Sequence, residues 1–386
     1  VRDDSASAGA PVGYLDPTVH PRQAGQRVID VFVHMARDKD ADAWHRRWRA
    51  GDLVGVNDPT PYGYGRAEAM GCRVRFSTSR RENPLETLLR LGLRALTGFD
   101  PVHAFRQRRA LRAADVVWTH TESQFLAVAA VLPRRGGPKV IAQSVWLFDR
   151  WEGLHPLHRW LYTRLIRRLD VLTFLSPVNM AVAQAAFPEK ACRFVPFGIP
   201  SERMLEVGPR RRARLTVVAP GNDRHRDWAI LVEAASALPD ARVTILSMTA
   251  PKRLARGRAG VRIKVAESNE ELNGHLAGAS VVCVPLKPNR HASGITVIQE
   301  AVLAGVPVVA TRTGGLDAYF GPDEIRFVEA GDAGALREAL AEIARDPSGA
   351  AARARRAQER MRRDHLGAQS YVARHVALSR ELLGRA

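Results

Sequence analysis

The stretch richest in possible chemistry runs His291-Ala292-Ser293-Gly294-Ile295-Thr296-Val297-Ile298-Gln299-Glu300. Ser293-Gly294 falls where a loop turns into a helix. It places a hydroxyl able to cap that helix beside a residue that lets a ligand come close to the backbone. Exposed N–H groups at a helix start attract anions, phosphate above all. Glu300 follows about two turns later, among Ile298, Ala301 and Val302. A carboxylate in that apolar setting needs a partner, and a pair of sugar hydroxyls would supply one. An ordinary strand–loop–helix–strand unit, with Glu300 partly exposed on the helix, fits the same letters.

The elements that must hold these groups are legible. Val281 to Leu286 is a β-branched run of strand length. Ile298, Ala301 and Val302 share a helical face, Gly305 stops that helix, and Val306 to Thr311 is the next strand. Further strand candidates in this half are Leu215 to Ala219, Arg242 to Met248, Val261 to Ala266 and Ile325 to Val328. The first half offers Val28 to Met35, Cys72 to Thr78, Asp115 to Glu122, Lys139 to Trp146 and Val171 to Ser176. Short β-branched runs alternating with helices predict parallel α/β sheets in both halves, and two such domains facing each other enclose a cleft. Ser176-Pro177 predicts a capped helix start, and Ser268 to Glu271 has capping-box spacing.

Functional groups in such folds collect at strand carboxyl ends. His120 and Glu122 are therefore candidates to hold an acceptor or a reacting sugar, against the reading of His120 as a structural histidine. Gly63-Tyr64, in the turn-rich Asp58 to Gly65, opens a helix and is a second candidate loop. Asp149, Arg150 and Glu152 read either as cleft lining or as a local ion-pair set.

The stretch from Gly294 onward resembles the donor-site signature of the family-four-like retaining glycosyltransferases of the GT-B fold, the group 1 enzymes. Gly294, Glu300, Ala301, Gly305, Pro307, Val308 and Val309 match; the family's first glutamate is replaced by Ala292. The resemblance implies two Rossmann-like parallel-sheet α/β domains facing across a cleft. It implies that Glu300 grips the nucleotide ribose, and that Ser293, Gly294, Ile295 and Thr296 face the donor sugar or its phosphate. In the family, the loop after the second half's first strand carries two cations for the donor diphosphate. Here that loop reads Gly221-Asn222-Asp223-Arg224-His225-Arg226, which puts Arg226, then Arg224, in that role, and Gly221 and Asn222 beside the donor. Arginine can fork onto phosphate oxygens; a solvated charged turn is the bland alternative. The family's acceptor lies against first-half loops, which brings in Gly63, Tyr64 and Glu122, with His120 at the reaction centre.

Composition marks 1–26 as a polar lead-in, read as mobile, and 201–214 as a charged linker; the resemblance further implies that 27–200 is the acceptor domain, 215–365 the donor domain and 366–386 a helix crossing back onto the first domain. No cofactor or metal is expected, and the co-substrate is a nucleotide-sugar, UDP- or GDP-linked. The acceptor is a glycan, a lipid-linked glycan or a small molecule. A soluble natural-product acceptor, or a non-catalytic nucleotide-sugar or glycan binder, are the rival readings.

The 386 residues carry 58 basic and 40 acidic side chains, a net charge of +18, almost all of the excess being arginine. Such a field favours nucleotides, phosphorylated lipids or an anionic membrane face. No zinc spacing, P-loop or RNA-binding signature points to nucleic acid as a partner. Trp44-His45-Arg46-Arg47-Trp48-Arg49 suits either a membrane-surface contact or a helix with inward tryptophans. Three widely separated cysteines, no apolar run of spanning length and no apolar leader predict a cytoplasmic protein, peripheral at the inner membrane face.

Overall fold

A computed structural model describes residues 27–37, 39–210, 213–238 and 240–385. The predicted lead-in, 1–26, lies outside the described residues, as do Arg211 and Arg212 of the predicted linker. The first half contains β1 (Ile29–His34), α1 (Ala41–Ala50), β2 (Cys72–Phe76), α2 (Pro84–Thr97), α3 (Pro101–Arg106), α4 (Arg108–Arg112), β3 (Val116–Thr119), α5 (Glu122–Val131), β4 (Lys139–Ser144), α6 (Pro156–Ile166), β5 (Val171–Phe174), α7 (Pro177–Ala186) and β6 (Cys192–Phe194). The second contains β7 (Thr216–Pro220), α8 (Trp228–Ser236), β8 (Arg242–Leu246), β9 (Val261–Lys264), α9 (Asn269–Gly278), β10 (Val281–Val284), α10 (Ile295–Leu303), β11 (Val308–Thr311), β12 (Arg326–Val328), α11 (Ala333–Arg345), α12 (Pro347–Arg363) and α13 (Ala368–Leu382).

Each half builds one six-stranded parallel sheet, ordered β2-β1-β3-β4-β5-β6 and β12-β11-β10-β7-β8-β9. β3, β5, β10 and β11 are buried throughout, which is why they read as unbroken apolar runs rather than alternating ones. In both sheets the order reverses beside the first strand, between β1 and β3 and between β7 and β10. Crevices at the carboxyl ends of strands flanking such a reversal are where open α/β sheets bind ligands.

Local chemistry fixes the helix starts. Ser176 caps α7 through Asn179 N, with Pro177 at the first position. Ser268 caps α9 through Glu271 N at 3.1 Å, but the Glu271 carboxylate accepts from Glu267 N instead of closing the box on Ser268. All three cysteines are free and buried, as expected of small apolar side chains. α13 lies on the first half: Trp118 Nε1 donates to Ser379 Oγ at 2.9 Å, Arg380 Nη2 to Met70 O at 3.0 Å, and Tyr371 meets Tyr64 hydroxyl to hydroxyl at 2.8 Å. Gly198 and Gly367 cross so closely that a Cβ on Gly198 would lie 2.2 Å from the Gly367 carbonyl carbon.

Candidate active site

The loops leaving β7 and β10 meet over Arg226. Gly221, at φ 144°, turns the chain out of β7. Arg226 then bridges backbone to backbone with Leu286, beyond β10. Its guanidinium lies against both loops. A Cβ on Gly221 would sit 2.3 Å from Nε, and one on Gly294 would sit 2.8 Å from Nη1. Only 5% of Arg226 is exposed, yet Nε and Nη1 have no hydrogen-bond partner among the described residues. Burial pushes the guanidinium down to about 10, against the opposing pull of Asp223 and Glu300, so it stays charged at neutral pH. A buried charge with open donors is costly unless an anion completes it.

Gly294, not Ser293, is the N-cap of α10, and no side chain caps the helix. The expected Ser293 cap is thus corrected. The left-handed backbone at Gly294 (φ 85°) takes the cap position, and the buried Ser293 Oγ is without a partner. An uncapped helix start, an open hydroxyl and an open guanidinium therefore occupy one corner, the arrangement that suits a phosphate.

Next to this corner is a cavity of about 230 Å³ between the two halves, lined by Ser293, Gly294, Ile295 and Thr296 on one side and Tyr62, His120 and Trp146 on the other. Of the remaining donor candidates, Arg224 is exposed to solvent. Asn222 spends its Oδ1 on Met248 N at 2.7 Å and Ser247 Oγ at 3.3 Å, which ties its loop to the end of β8 rather than to a ligand.

His120 reaches the cavity from the end of β3. Its ring stacks on Tyr62 at 3.4 Å between centroids, and Nδ1 lies 3.0 Å from Tyr64 Oη and 3.2 Å from Gln143 Nε2. Burial, with His375 and Lys39 nearby, pushes the imidazole down to about 3, so it is neutral. With the Gln143 amide donating to Nδ1, the ring proton sits on Nε2.

Three acceptor candidates need correction. Tyr64 is fully buried and acts as a strut between His120 and Tyr371; the neighbouring Tyr62 takes the cavity wall. Gly63 packs behind it, where a Cβ would lie 3.0 Å from Asp58 Oδ2. Glu122 turns away from the cavity and accepts from Val145 N at 3.1 Å and Trp146 N at 3.2 Å, so it holds the exit of β4. A residue at a strand end faces the cleft or the sheet's flank according to one backbone turn, which sequence does not display.

Glu300 is buried on α10, and its partner here is a backbone amide of the other half. Val56 N donates to Oε1 at 2.9 Å. The loop carrying it is anchored twice more, by Gly55 N to Asn269 Oδ1 at 2.8 Å and Asn269 Nδ2 to Leu53 O at 3.1 Å. Trp44 Nε1 and Trp48 Nε1 fasten the loop's far end through Asp58 O and Asn57 O, at 2.8 and 2.9 Å. Both indoles thus tie down this loop, Trp44 from a buried position and Trp48 from one that is 38% exposed. Burial pushes the Glu300 carboxyl up to about 7, against the Val56 amide and the Arg226 charge.

A cluster joins the halves beside the cavity: the sequence pointed to Asp149 as an ion-pair candidate, but not to the His291 that it pairs with. His291 Nδ1 meets Asp149 Oδ2, and Nε2 lies 3.3 Å from Asp223 Oδ2. Asp223 Oδ1 also takes His225 N and Nδ1, at 2.7 and 3.0 Å. Burial opposes charging His291, but the two carboxylates prevail and raise it to about 9. An imidazolium therefore bridges the two domains. Asp149, His225 and His291 are also close enough together to be metal ligands. With both His291 nitrogens occupied by carboxylates, the ion-pair chain already satisfies them. The available signal was a histidine beside the Gly294 loop and an Asp-rich turn after β7.

Two parallel-sheet α/β halves, with an anion corner and a neutral histidine across the cavity between them, have the architecture of the GT-B fold. The comparisons agree. Residues 213–346 match the family model described as glycosyl transferases group 1, and the chain carries that family's domain there. It is 27% identical over 288 residues to a GDP-mannose-dependent alpha-(1-6)-phosphatidylinositol monomannoside mannosyltransferase of Mycolicibacterium smegmatis, covering 66% of this chain and 74% of that one. It is 25% identical over 271 residues, 64% of this chain and 71% of the other, to a GDP-mannose-dependent monoacylated alpha-(1-6)-phosphatidylinositol monomannoside mannosyltransferase of Corynebacterium glutamicum. Sucrose-phosphate synthase from Thermosynechococcus elongatus shares the fold, with a TM-score of 0.71 at 16% identity over 92% of this chain and all of that one. So does an Anabaena protein solved with UDP-glucose, with a TM-score of 0.65 at 13% identity over 92% of this chain and all of that one. The chain thus carries a group 1 glycosyltransferase domain within a fold of the GT-B type, and the curated relatives it matches are named as mannosyltransferases.

Proposed function

We propose that the enzyme moves a hexose from a nucleoside-diphosphate sugar, GDP- or UDP-linked, to a hydroxyl of a lipid-linked acceptor, with retention of configuration and without a metal. The observation that carries the donor half is Arg226: a buried, charged guanidinium with two open nitrogens at the uncapped start of α10. As the bond from the anomeric carbon to the diphosphate oxygen breaks, negative charge grows on that oxygen. Arg226 and the α10 N–H groups are preorganised to receive it. The acceptor hydroxyl oxygen bonds to the anomeric carbon on the same face, and its proton passes to the departing phosphate oxygen. The products are the glycoside and the nucleoside diphosphate, and no side-chain base is consumed.

His120, neutral and oriented by Gln143, offers Nε2–H to a sugar hydroxyl across the cavity. The two mannosyltransferase relatives, by name GDP-mannose-dependent and acting on phosphatidylinositol mannosides, support the GDP-linked donor and glycolipid acceptor. The glycolipid acceptors in those names support a place for the enzyme on a membrane face; among the described residues no helix is long and apolar enough to cross a membrane.

The test is a thermal-shift panel of GDP, UDP, ADP, TDP and CMP on the wild type and Arg226→Ala. Selective stabilisation by one diphosphate, lost in the variant, supports the reading. No response to any nucleotide would remove the donor site from this cleft.

A further inference from the structure

Left-handed backbone is unfavourable for a residue with a bulky side chain, and it persists only where the surroundings over-determine it. Among the described residues three non-glycines adopt it, Tyr62, Ala292 and His365, and the first two line the cavity between the halves. Tyr62 (φ 53°, ψ 21°) and Gly63 (φ 77°, ψ 5°) are left-handed in succession, which breaks the Pro61–Met70 segment near its start. Local bonds hold the break in place. Gly63 N donates to Thr60 O at 3.1 Å, and Gly65 N to Thr60 Oγ1 at 3.0 Å. Asp58, against which Gly63 packs, is fixed by Arg66 Nε at 2.8 Å.

The turn produces one contact. The Tyr62 ring lies flat over His120, with 3.4 Å between centroids and 15° between planes. Two neutral aromatic rings left to themselves adopt offset or edge-to-face geometry, not an eclipsed stack. The backbone therefore imposes this sandwich on the pair. Trp44 packs beside the phenol ring at 5.5 Å, and Phe197 meets His120 edge to face at 6.1 Å. With Nδ1 against Tyr64 and Gln143, the edge carrying Nε2 is what remains for the cavity.

We propose that Tyr62 is the positioning residue of His120: the strained turn holds its ring as a cover that keeps water off the imidazole face and aims Nε2–H into the cavity. The proposal rests on the reading in which His120 offers Nε2–H to the reacting sugar. The cover also controls charge. Burial pushes His120 down to about 3, and His375 and Lys39 act in the same direction. Around the ring, Tyr64 and Tyr371 are pushed up by burial and stay un-ionised, and His375 of α13 is itself pushed down to about 4. Lys39 Nζ is 6.0 Å from the centre of the Tyr62 ring, and Glu122 is turned to Val145 N and Trp146 N. His291 and Asp223 line the same cavity. Among the described residues no carboxylate pairs with His120, so water admitted to its face is the change that would let it charge. An imidazolium there would oppose the reaction, because the anomeric carbon gains positive charge as the diphosphate leaves.

The experiment is a nitrogen-15 NMR titration of histidine-labelled enzyme from about pH 4 to about pH 8, with the His120 signals assigned by their loss in His120→Gln. It is run on the wild type, Tyr62→Phe, Tyr62→Gly and Tyr62→Asn. Glycine and asparagine both remove the ring and tolerate the left-handed backbone, and melting temperatures confirm folding. The expected result is a His120 that stays neutral, with its proton on Nε2, throughout the range in the wild type and Tyr62→Phe. In the ring-less variants it should titrate, with a midpoint moved up toward the ordinary histidine value of about 6.5. A His120 that titrates no differently without the ring overturns the proposal, and so does a His120 that charges in Tyr62→Phe. Turnover is read in parallel as GDP release from GDP-mannose. The ring-less variants should show an acid limb in kcat that the wild type lacks, about tenfold per pH unit below the new midpoint, with donor KM little changed. Tyr62→Phe should restore the flat profile. A ring-less variant whose His120 titrates while kcat stays flat also overturns the positioning role. Absence of GDP release from the wild type itself would count against the donor reading, and the titration would still decide whether Tyr62 covers His120.

Discussion

Val56 N of the first half donates to Glu300 Oε1 of the second at 2.9 Å, over 244 residues of chain. The fit is tight, since a Cβ on Gly55 would lie 2.5 Å from that oxygen, at a φ of 105°. On the proposed reading, in which Glu300 holds the donor ribose, the Leu53–Asn57 loop occupies that place, and a donor would either displace this loop or share Glu300 with it.

Gly55→Ala separates those alternatives. The methyl group meets both the Glu300 oxygen and an unfavourable backbone conformation, a cost of about 1–3 kcal/mol on the closed loop. If the loop competes with the nucleotide, the variant binds the nucleotide more tightly and its loop is cleaved faster by protease. Weaker nucleotide binding, with the same increase in cleavage, would make the loop part of the donor site. Calorimetry with GDP and UDP, alongside limited proteolysis, reads both.

Glu300 should leave a signature in stability against pH. Its folded carboxyl is raised from 4.5 to about 7, so the folded state binds more protons than the unfolded state between those values. Stability is therefore lost as pH rises from about 4.5 to about 7, and the loss stays constant above that, at about 3 kcal/mol. Glu300→Gln should match the wild type near pH 4 and exceed it at pH 8. Parallel urea-denaturation curves for the two proteins at both extremes would expose the idea as wrong.

His291 acts in the next window. Its folded imidazole is raised from 6.5 to about 9 by Asp149 and Asp223, so its contribution is complete below about 6.5 and lost as pH rises through 9. Because Asp149 belongs to the first half, weakening this bridge should loosen the domains together with the loss in stability. His291→Gln should flatten the decline between pH 6.5 and 9 and lower stability at pH 6. A decline of unchanged slope in the variant would show that the bridge is not protonated as described.

Arg226 makes opposite predictions for stability and turnover. Its open nitrogens are a burden in the empty enzyme, so Arg226→Met should hold or raise the melting temperature. On the proposed mechanism the same change removes the charge that receives the leaving group and should lower turnover by about 3–4 kcal/mol in activation free energy, roughly 10²–10³-fold. A variant with unchanged kcat in a radiolabelled-sugar transfer assay would take Arg226 out of the mechanism.

Much of this molecule was legible in its letters. β-branched runs separated by helical periods determined the parallel sheets, because strands covered on both faces need apolar residues throughout. Gly305, Ser176-Pro177 and Ser268 marked helix ends because capping is a local matter of a few residues. The Gly294–Glu300 spacing marked the uncapped helix start, and Arg226 was legible as a cation after a strand. Tertiary structure alone decided where side chains point. It turned Glu122 and Tyr64 into struts, tied Asn222 to the end of β8, and laid Val56 on Glu300. It also gathered Asp149, Asp223 and His291 into one chain and put the leucines of α2 outside. These outcomes depend on which loop of one half meets which loop of the other. That meeting is fixed by long-range packing of residues up to 310 apart, as for Met70 and Arg380, and no local propensity encodes it.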